Sequence, residues 1–140
     1  MSRHAVISCA VVLGMVCAAF ASASDSGKVL TRKDNASSVR LAAGDRLTIE
    51  LPGTPTTGFM WSVVSVDTAS FRISEAEVIR SGAKRNVVGA PSLFRWHVEA
   101  LKESSGTIKL AYARSWEKVP PAEVFSVTLV SGPRPQPKKK

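Results

Sequence analysis

Apolar and polar residues alternate along much of this chain, and this period-two pattern constrains the fold more than any other feature. Over residues 46–51 it places Leu47, Ile49 and Leu51 on one face. Successive side chains of a β-strand point to opposite faces, so this spacing predicts a strand with one buried face. No window of eleven or more residues has the spacing of an amphipathic helix. The sequence therefore predicts an all-β fold.

Five more segments are predicted to form strands. Residues 93–101, 107–114 and 124–130 alternate, and residues 61–66 carry apolar side chains on both faces. Phe71 and Ile73 begin a short strand that either ends there or continues through Val78 and Ile79. Turn-forming residues lie between them, at 44–45 and 104–106 among other places. About seven short strands joined by turns are typical of an antiparallel β-sandwich, and a small barrel is the alternative. Trp61 and Trp96 lie within predicted strands, so we expect both in the core.

Three irregular segments interrupt the strands, at residues 52–58, 81–92 and 115–122. The first holds two glycines, one proline and three threonines. Pro55 restricts its own φ to about −65°, and Gly58 can adopt positive φ at low cost. We expect a stiff loop, which loses little entropy on docking and therefore suits recognition. An ordinary turn between two strands is the alternative interpretation.

The first 23 residues have the features of a secretory signal peptide. A basic start at Arg3 precedes an apolar run over residues 5–20, and Ala21-Ser22-Ala23 is a small-x-small cleavage sequence. We expect cleavage after Ala23 and a periplasmic or secreted protein. A membrane anchor is the alternative, but the run of 16 residues is short for a span. No membrane association is expected after cleavage.

Both cysteines, Cys9 and Cys17, lie in this leader, so the 117 residues that follow it contain none. The domain predicted over residues 24–132 must then be stabilised by a hydrophobic core and not by disulfides. Residues 133–140 are rich in proline and lysine and predict a disordered tail. The 117 residues carry 18 basic and 11 acidic side chains, which favours an acidic protein partner. Because basic runs are not interleaved with aromatic residues, nucleic acid is not expected as a partner.

Catalytic and metal-binding groups are scarce after the leader. His97 is the one histidine there, and it lies on the polar face of a predicted strand. No Gly-x-Ser-x-Gly elbow, phosphate loop or calcium loop is present. We therefore predict no catalytic residue, no metal site and no cofactor, and interpret His97 as an exposed strand residue. An enzyme is the weaker class of function.

Trp116 is the strongest candidate for a binding residue outside the first loop. It lies in the third irregular segment between Arg114 and Glu117. Tryptophan and arginine are enriched at the centres of protein interfaces. The alternative is that the Trp116 ring packs into the edge of the sandwich.

Residues 55–61 read Pro-Thr-Thr-Gly-Phe-Met-Trp, residues 89–92 read Gly-Ala-Pro-Ser, and residues 112–116 read Tyr-Ala-Arg-Ser-Trp. Together these three segments resemble the chagasin-type inhibitors of cysteine peptidases, and the first matches that family's Asn-Pro-Thr-Thr-Gly-Tyr/Phe-x-Trp motif. Residues 89–92 take the place of its Gly-x-Gly-Gly loop, and residues 112–116 match its third motif with serine for proline. The motifs follow the family's order over residues 44–130, nearly the whole predicted domain.

The resemblance implies an immunoglobulin-like β-sandwich that binds papain-family cysteine peptidases tightly and reversibly, with three loops in the active-site cleft. The expected partner is therefore a papain-family peptidase, and the protein is expected to be a monomer. The residues implied to contact the peptidase are Thr54, Pro55, Thr56, Thr57, Gly58, Phe59, Gly89, Ala90, Pro91, Ser92, Arg114, Ser115 and Trp116.

A non-inhibitory immunoglobulin-like module that binds a surface protein or carbohydrate is the alternative function. It is suggested by three departures from the family motifs. Gly53-Thr54 replaces the asparagine before Pro55, Pro91-Ser92 replaces two glycines, and Ser115 replaces a proline.

Overall fold

A computed structural model of the protein describes residues 24–80 and 91–134. The residues predicted as a signal peptide, 1–23, and most of the predicted tail, 135–140, lie outside this description. The described residues form nine strands and two short 3-10 turns, at Arg32–Asp34 and Pro55–Thr57. The strands are β1 (Ser24–Leu30), β2 (Ser37–Ala42), β3 (Asp45–Gly53), β4 (Met60–Ser65), β5 (Phe71–Ile73), β6 (Glu77–Arg80), β7 (Ser92–Ala100), β8 (Ser104–Ala113) and β9 (Glu123–Gly132).

The strands form two sheets that enclose one core, so the predicted β-sandwich is confirmed and the barrel is not. One sheet has the order β1-β3-β7-β5, with β6 also paired to β7, and the other has the order β2-β9-β8-β4. Most pairs are antiparallel, as predicted. The pairs β1–β3 and β2–β9 are parallel, and β1 and β2 each lie at an edge of their sheet.

The predicted number of about seven strands is wrong, since nine are present in the described part of the chain. Two short edge strands were missed. In β1 only Leu30 is buried, and in β2 only Val39 and Leu41, so neither strand shows a long alternation. The short strand predicted from Phe71 ends at Ile73 as β5, and the extension considered through Ile79 belongs to a separate strand, β6. At the break between them, the amide of His97 donates a hydrogen bond to the Ser74 hydroxyl instead of to a backbone carbonyl.

The turn predicted at residues 104–106 is also wrong, because these residues begin β8 and the bend lies at 102–103. The amide of Ser104 donates to the buried hydroxyl of Ser131 on β9, which ties the start of β8 to its neighbour. Gly106 leaves room for the ring of Phe71, to which an added Cβ would come within 3.0 Å. Small residues here therefore serve packing between the two sheets and not chain reversal.

The core consists of the inward faces that the alternation predicts. Leu47, Ile49 and Leu51 on β3 are fully buried, and Trp61 and Trp96 are 4% and 2% exposed, which confirms both tryptophans as core residues. The remaining buried apolar side chains come from both sheets: Leu30, Val39, Leu41, Phe71, Phe94, Val98, Ala100, Ile108, Leu110, Phe125, Val127 and Leu129. The described residues contain no helix long and apolar enough to cross a membrane.

Strand register brings one end of each of four strands, β3, β4, β7 and β8, to the same end of the sandwich. Gly53, at the end of β3, pairs with Ser92, at the start of β7. Met60, at the start of β4, pairs with Ala113, at the end of β8. Because residues 54–59 span the short distance between Gly53 and Met60, the end of β3 in one sheet and the start of β4 in the other lie at the same pole.

Leu110→Ala on β8 should lower the free energy of unfolding by about 2–5 kcal/mol, because it leaves a cavity at a fully buried position. The neighbouring Lys109→Ala is the matched control, since Lys109 is exposed, and should change stability by less than about 0.5 kcal/mol. Urea denaturation followed by circular dichroism measures both values. Equal losses in the two variants would contradict the assigned register of β8.

Candidate functional site

The segment between β3 and β4 is a compact turn closed by its own hydrogen bonds. The amides of Thr57 and Gly58 donate to the carbonyls of Thr54 and Pro55, at 3.0 and 2.9 Å. The hydroxyl of Thr57 donates to the Thr54 carbonyl at 2.6 Å. Gly58 ends the turn with φ of 84°, the positive value expected from the sequence. Residues 54–59 are therefore ordered by local bonds and not by extended pairing.

Tyr112, the only tyrosine of the chain, anchors this turn to β8. Its hydroxyl accepts a hydrogen bond from the amide of Thr54 at 2.9 Å and lies 3.2 Å from the Thr54 hydroxyl. The asparagine that the family motif has before Pro55 is thus replaced here by a threonine whose side chain also braces the turn. The Thr54 hydroxyl lies a further 3.3 Å from the hydroxyl of Thr57.

Aromatic rings support the turn from below. The ring of Tyr112 lies between those of Phe59 and Trp61, with centroids 5.2 and 5.0 Å away. The indole N–H of Trp61 donates to the Pro52 carbonyl at 3.0 Å, which satisfies its one donor in the core. Gly53 is needed at the end of β3, since an added Cβ would come within 2.7 Å of the Phe94 ring.

The segment after β8 contacts the turn directly through Arg114. The Nε of Arg114 donates to the Thr57 carbonyl at 3.0 Å, and its Nη1 lies 2.8 Å from the carboxylate of Glu117. The guanidinium carbon lies 4.3 Å from the centroid of the Phe59 ring, a cation–π distance. Arg114 therefore joins residues 54–59 to residues 114–117.

Trp116 packs on Gly58 and otherwise faces solvent. A Cβ added to Gly58 would lie 2.1 Å from Cη2 of Trp116, so the ring occupies the space that a side chain would fill. The Trp116 side chain is still 66% exposed. It is therefore not packed into the sandwich edge, and it presents a large apolar surface beside the turn. We refer to residues 54–59 and 114–117 together as the loop surface.

The remaining predicted site residues divide by position. Thr56, Thr57 and Ser115 are exposed on the loop surface, whereas Pro55 and Phe59 are partly buried. Gly89 and Ala90 lie outside the described residues. Pro91 is exposed, and Ser92 is buried at 6% exposure, paired with Gly53 on β3 and Arg80 on β6.

Ser92 therefore contributes to the base of this pole and not to its exposed surface. Sequence reasoning missed Tyr112 and Glu117 as site residues. In the sequence, Tyr112 has the position of an ordinary inward strand residue. The one available signal is that a buried tyrosine hydroxyl needs a hydrogen-bond partner.

His97 lies away from the loop surface, on the outer face of the first sheet. It is exposed, as predicted, and its Nδ1 lies 3.3 Å from the Thr48 hydroxyl. It is one of the residues that line a shallow groove of about 450 Å³: Asp25, Arg46, Thr48, Arg72, Ile73, Ser74, His97, Val98 and Glu99. None of the predicted site residues lies in this groove.

The sequence and the fold both match known proteins. A model of the chagasin family of peptidase inhibitors, I42, matches residues 40–129. Amoebiasin-2 of Entamoeba histolytica is 31% identical over 90 residues, which are 64% of this chain and 72% of the relative. These matches confirm the resemblance seen in the motifs.

Two solved structures share the fold. The cysteine protease inhibitor EhICP2 from Entamoeba histolytica is 28% identical, with a TM-score of 0.68 over 75% of this chain and 95% of that one. PbICP-C, solved in complex with falcipain-2, is 14% identical, with a TM-score of 0.57 over 79% of this chain and 93% of that one. The second likeness concerns the fold alone.

Gly58→Ala should displace the Trp116 ring, because the new methyl group would overlap it. Gly44→Ala is the matched control, since Gly44 has nearly the same φ, 87°, but a Cβ added there would lie at an ordinary 3.6 Å from Nη2 of Arg134. Both variants should lose about 1–2 kcal/mol of stability from the left-handed backbone. Only Gly58→Ala should change acrylamide quenching of tryptophan fluorescence, which reports Trp116 because the other two tryptophans are buried. Unchanged quenching in Gly58→Ala would refute the contact.

Proposed function

This chain belongs to the chagasin family of peptidase inhibitors, and on that premise we propose that it inhibits papain-like cysteine peptidases by placing the loop surface in the active-site cleft. The family model spans more than half of the chain. EhICP2, which shares its fold, is a cysteine protease inhibitor. The observation that carries the proposal is the direct contact between the two segments of the loop surface, through Trp116 on Gly58 and Arg114 on Thr57.

The turn at residues 54–59 is the part that enters the cleft. Thr56 and Thr57 are its exposed crest, while Thr54 is held from below by Tyr112. Because the turn is closed by hydrogen bonds before it binds, little conformational entropy is lost on docking. Its backbone is folded and not extended. A peptidase that cleaves extended segments would therefore not find a substrate-like strand here, which suits an inhibitor that is not consumed.

The flanking residues extend the contact on both sides of the turn. Trp116 supplies an exposed aromatic ring of the kind that dominates binding energy at interfaces. Gly89, Ala90, Pro91 and Ser92 form the second contact segment in this proposal; of these, the structure describes Pro91, which is exposed, and Ser92, which is buried. Ser92 serves there as its fixed base, because it is paired with Gly53.

The protein acts outside the cytoplasm in this proposal, in the periplasm or as a secreted inhibitor. The signal-peptide features of residues 1–23 support this location. After cleavage behind Ala23, the fold would contain no cysteine.

Titration of papain and several cathepsins with the purified protein should show stoichiometric, reversible inhibition. Trp116→Ala should weaken inhibition on the order of a hundredfold, as expected for an aromatic residue central to an interface. Val64→Ala is the matched control. Val64 is 62% exposed, nearly as much as Trp116, but it lies on β4 outside the loop surface. The Val64→Ala variant should therefore inhibit normally. No inhibition of any papain-type enzyme at up to about 10 μM protein would refute the proposed function.

Expression of the full-length chain in an exporting bacterium should yield a protein whose first residue is Ser24. Ala23→Arg should block this processing, because signal peptidase requires a small residue before the cut. Ser22→Arg is the control, since the position between the two small residues tolerates larger side chains. Intact-mass spectrometry of the exported fraction distinguishes the forms, and an uncleaved wild-type chain would count against export by this route.

A further inference from the structure

Glu117 is the one acidic residue in contact with Arg114 in the described part of the loop surface. Its carboxylate oxygen lies 2.8 Å from Nη1 of Arg114, and both side chains are about one-third exposed, at 34% and 32%. The amide of Glu117 also donates to the Arg114 carbonyl at 3.2 Å. Residues 114–117 therefore form a turn that is closed twice, once by backbone and once by the ion pair. Trp116 lies between the two closing residues.

Arg114 also binds the turn at residues 54–59, through a different nitrogen of the same guanidinium group. Nε of Arg114 donates to the Thr57 carbonyl at 3.0 Å while Nη1 binds Glu117, and the plane of the group lies over Phe59. The planar guanidinium fixes the angle between its N–H donors, so an acceptor on one nitrogen orients the other. The carboxylate of Glu117 thereby determines where Arg114 can meet Thr57.

We propose that Glu117 is a positioning residue of the inhibitory site. It holds Arg114 against the Thr57 carbonyl, so that the crest of the turn and the Trp116 ring are in place before a peptidase arrives. This inference rests on the proposed function and extends it to a residue beyond the three family motifs. The Arg114–Glu117 pair stiffens the segment in which the family proline is replaced by Ser115.

A direct-contact role for Arg114 makes the opposite prediction. If Arg114 acted only as a cation facing the peptidase, Glu117 would neutralise that charge, and its removal would leave binding unchanged or tighten it. In the positioning role, removal of Glu117 reduces the fraction of molecules whose two segments are joined. Apparent affinity falls in proportion to that fraction. The loss appears in the association rate, whereas a lost direct contact appears in the dissociation rate.

Glu117→Ala in the full-length protein tests this difference by stopped-flow association and jump-dilution dissociation with papain. The association rate constant should fall roughly three- to tenfold, while the dissociation rate constant stays within about twofold of wild type. Glu117→Gln keeps an oxygen acceptor for Nη1 without the charge and should give a smaller loss. Glu99→Gln is the matched control, since Glu99 also pairs with arginines but lies on the outer face at the opposite end of β7.

Arg114→Lys separates position from charge. Lysine keeps the cation but has no planar pair of donors for Thr57 and Glu117. It should therefore lose affinity much as Arg114→Ala does, and Glu117→Ala should add little further loss in the Arg114→Lys background. Full rescue of inhibition by lysine would overturn the proposal.

Acrylamide quenching of the free protein gives a readout that needs no peptidase. Glu117→Ala should raise the quenching of Trp116, because the ring is no longer held on Gly58, and Glu99→Gln should leave it unchanged. Normal quenching together with normal association kinetics in Glu117→Ala would refute the positioning role even if the wild-type protein is a potent inhibitor. Changed quenching in a protein that inhibits no peptidase would instead refute the proposed function and leave the contact standing.

Discussion

The geometry of the loop surface depends on the hydrogen bond between the Tyr112 hydroxyl and the amide of Thr54. Tyr112 belongs to β8, but its hydroxyl lies at the start of the turn between β3 and β4, where it binds the amide and lies near the hydroxyl of Thr54. One side chain therefore links the two sheets at the pole that carries residues 54–59 and 114–117. Its ring also supports Phe59 and Trp61, so the turn rests on a packed aromatic base.

Above that base lie hydrogen bonds, one ion pair, a cation–π contact and the packing of Trp116 on Gly58. The Arg114–Glu117 pair is one-third exposed, and ion pairs at such exposure typically stabilise a protein by no more than about 1 kcal/mol. The contacts within the loop surface therefore restrict its conformation more than they raise the free energy of unfolding. Bonds to Thr57 and contact with Gly58 restrict where residues 114–117 can lie, and a restricted surface loses less entropy when it binds.

The departures from the family motifs have local compensation where the structure describes them. Thr54 takes the position of an asparagine and braces the turn through its own hydroxyl. Ser115 takes the position of a proline, and the ion pair around it supplies rigidity of a different kind. These residues are consistent with retention of the inhibitory surface. For that reason the structure offers no specific support for the non-inhibitory binding module considered from the sequence.

Sequence reasoning succeeded where a local rule decides the structure and failed where a neighbour decides it. Long alternations such as that of β7 specify one buried face, so their strands and core residues could be read directly. The short edge strands β1 and β2 bury too few apolar residues to show a period, and they form because β3 and β9 offer unpaired edges. Residues 104–106 show the same limit. The sequence Ser-Ser-Gly favours a turn, but the amide of Ser104 donates to the hydroxyl of Ser131, and the three residues begin β8.

The sequence by itself determined the all-β fold, the buried face of each long strand and the family, since hydrophobic period and motif order are properties of the chain alone. It also permitted the positive φ of Gly58, because few other residues adopt that conformation cheaply. Only the tertiary structure decided that Trp116 rests on Gly58 and that Arg114 joins Thr57 to Glu117. The contacts of Arg114 with Thr57 and of Trp116 with Gly58 connect residues more than fifty positions apart, and strand register, which no local pattern encodes, brings them together.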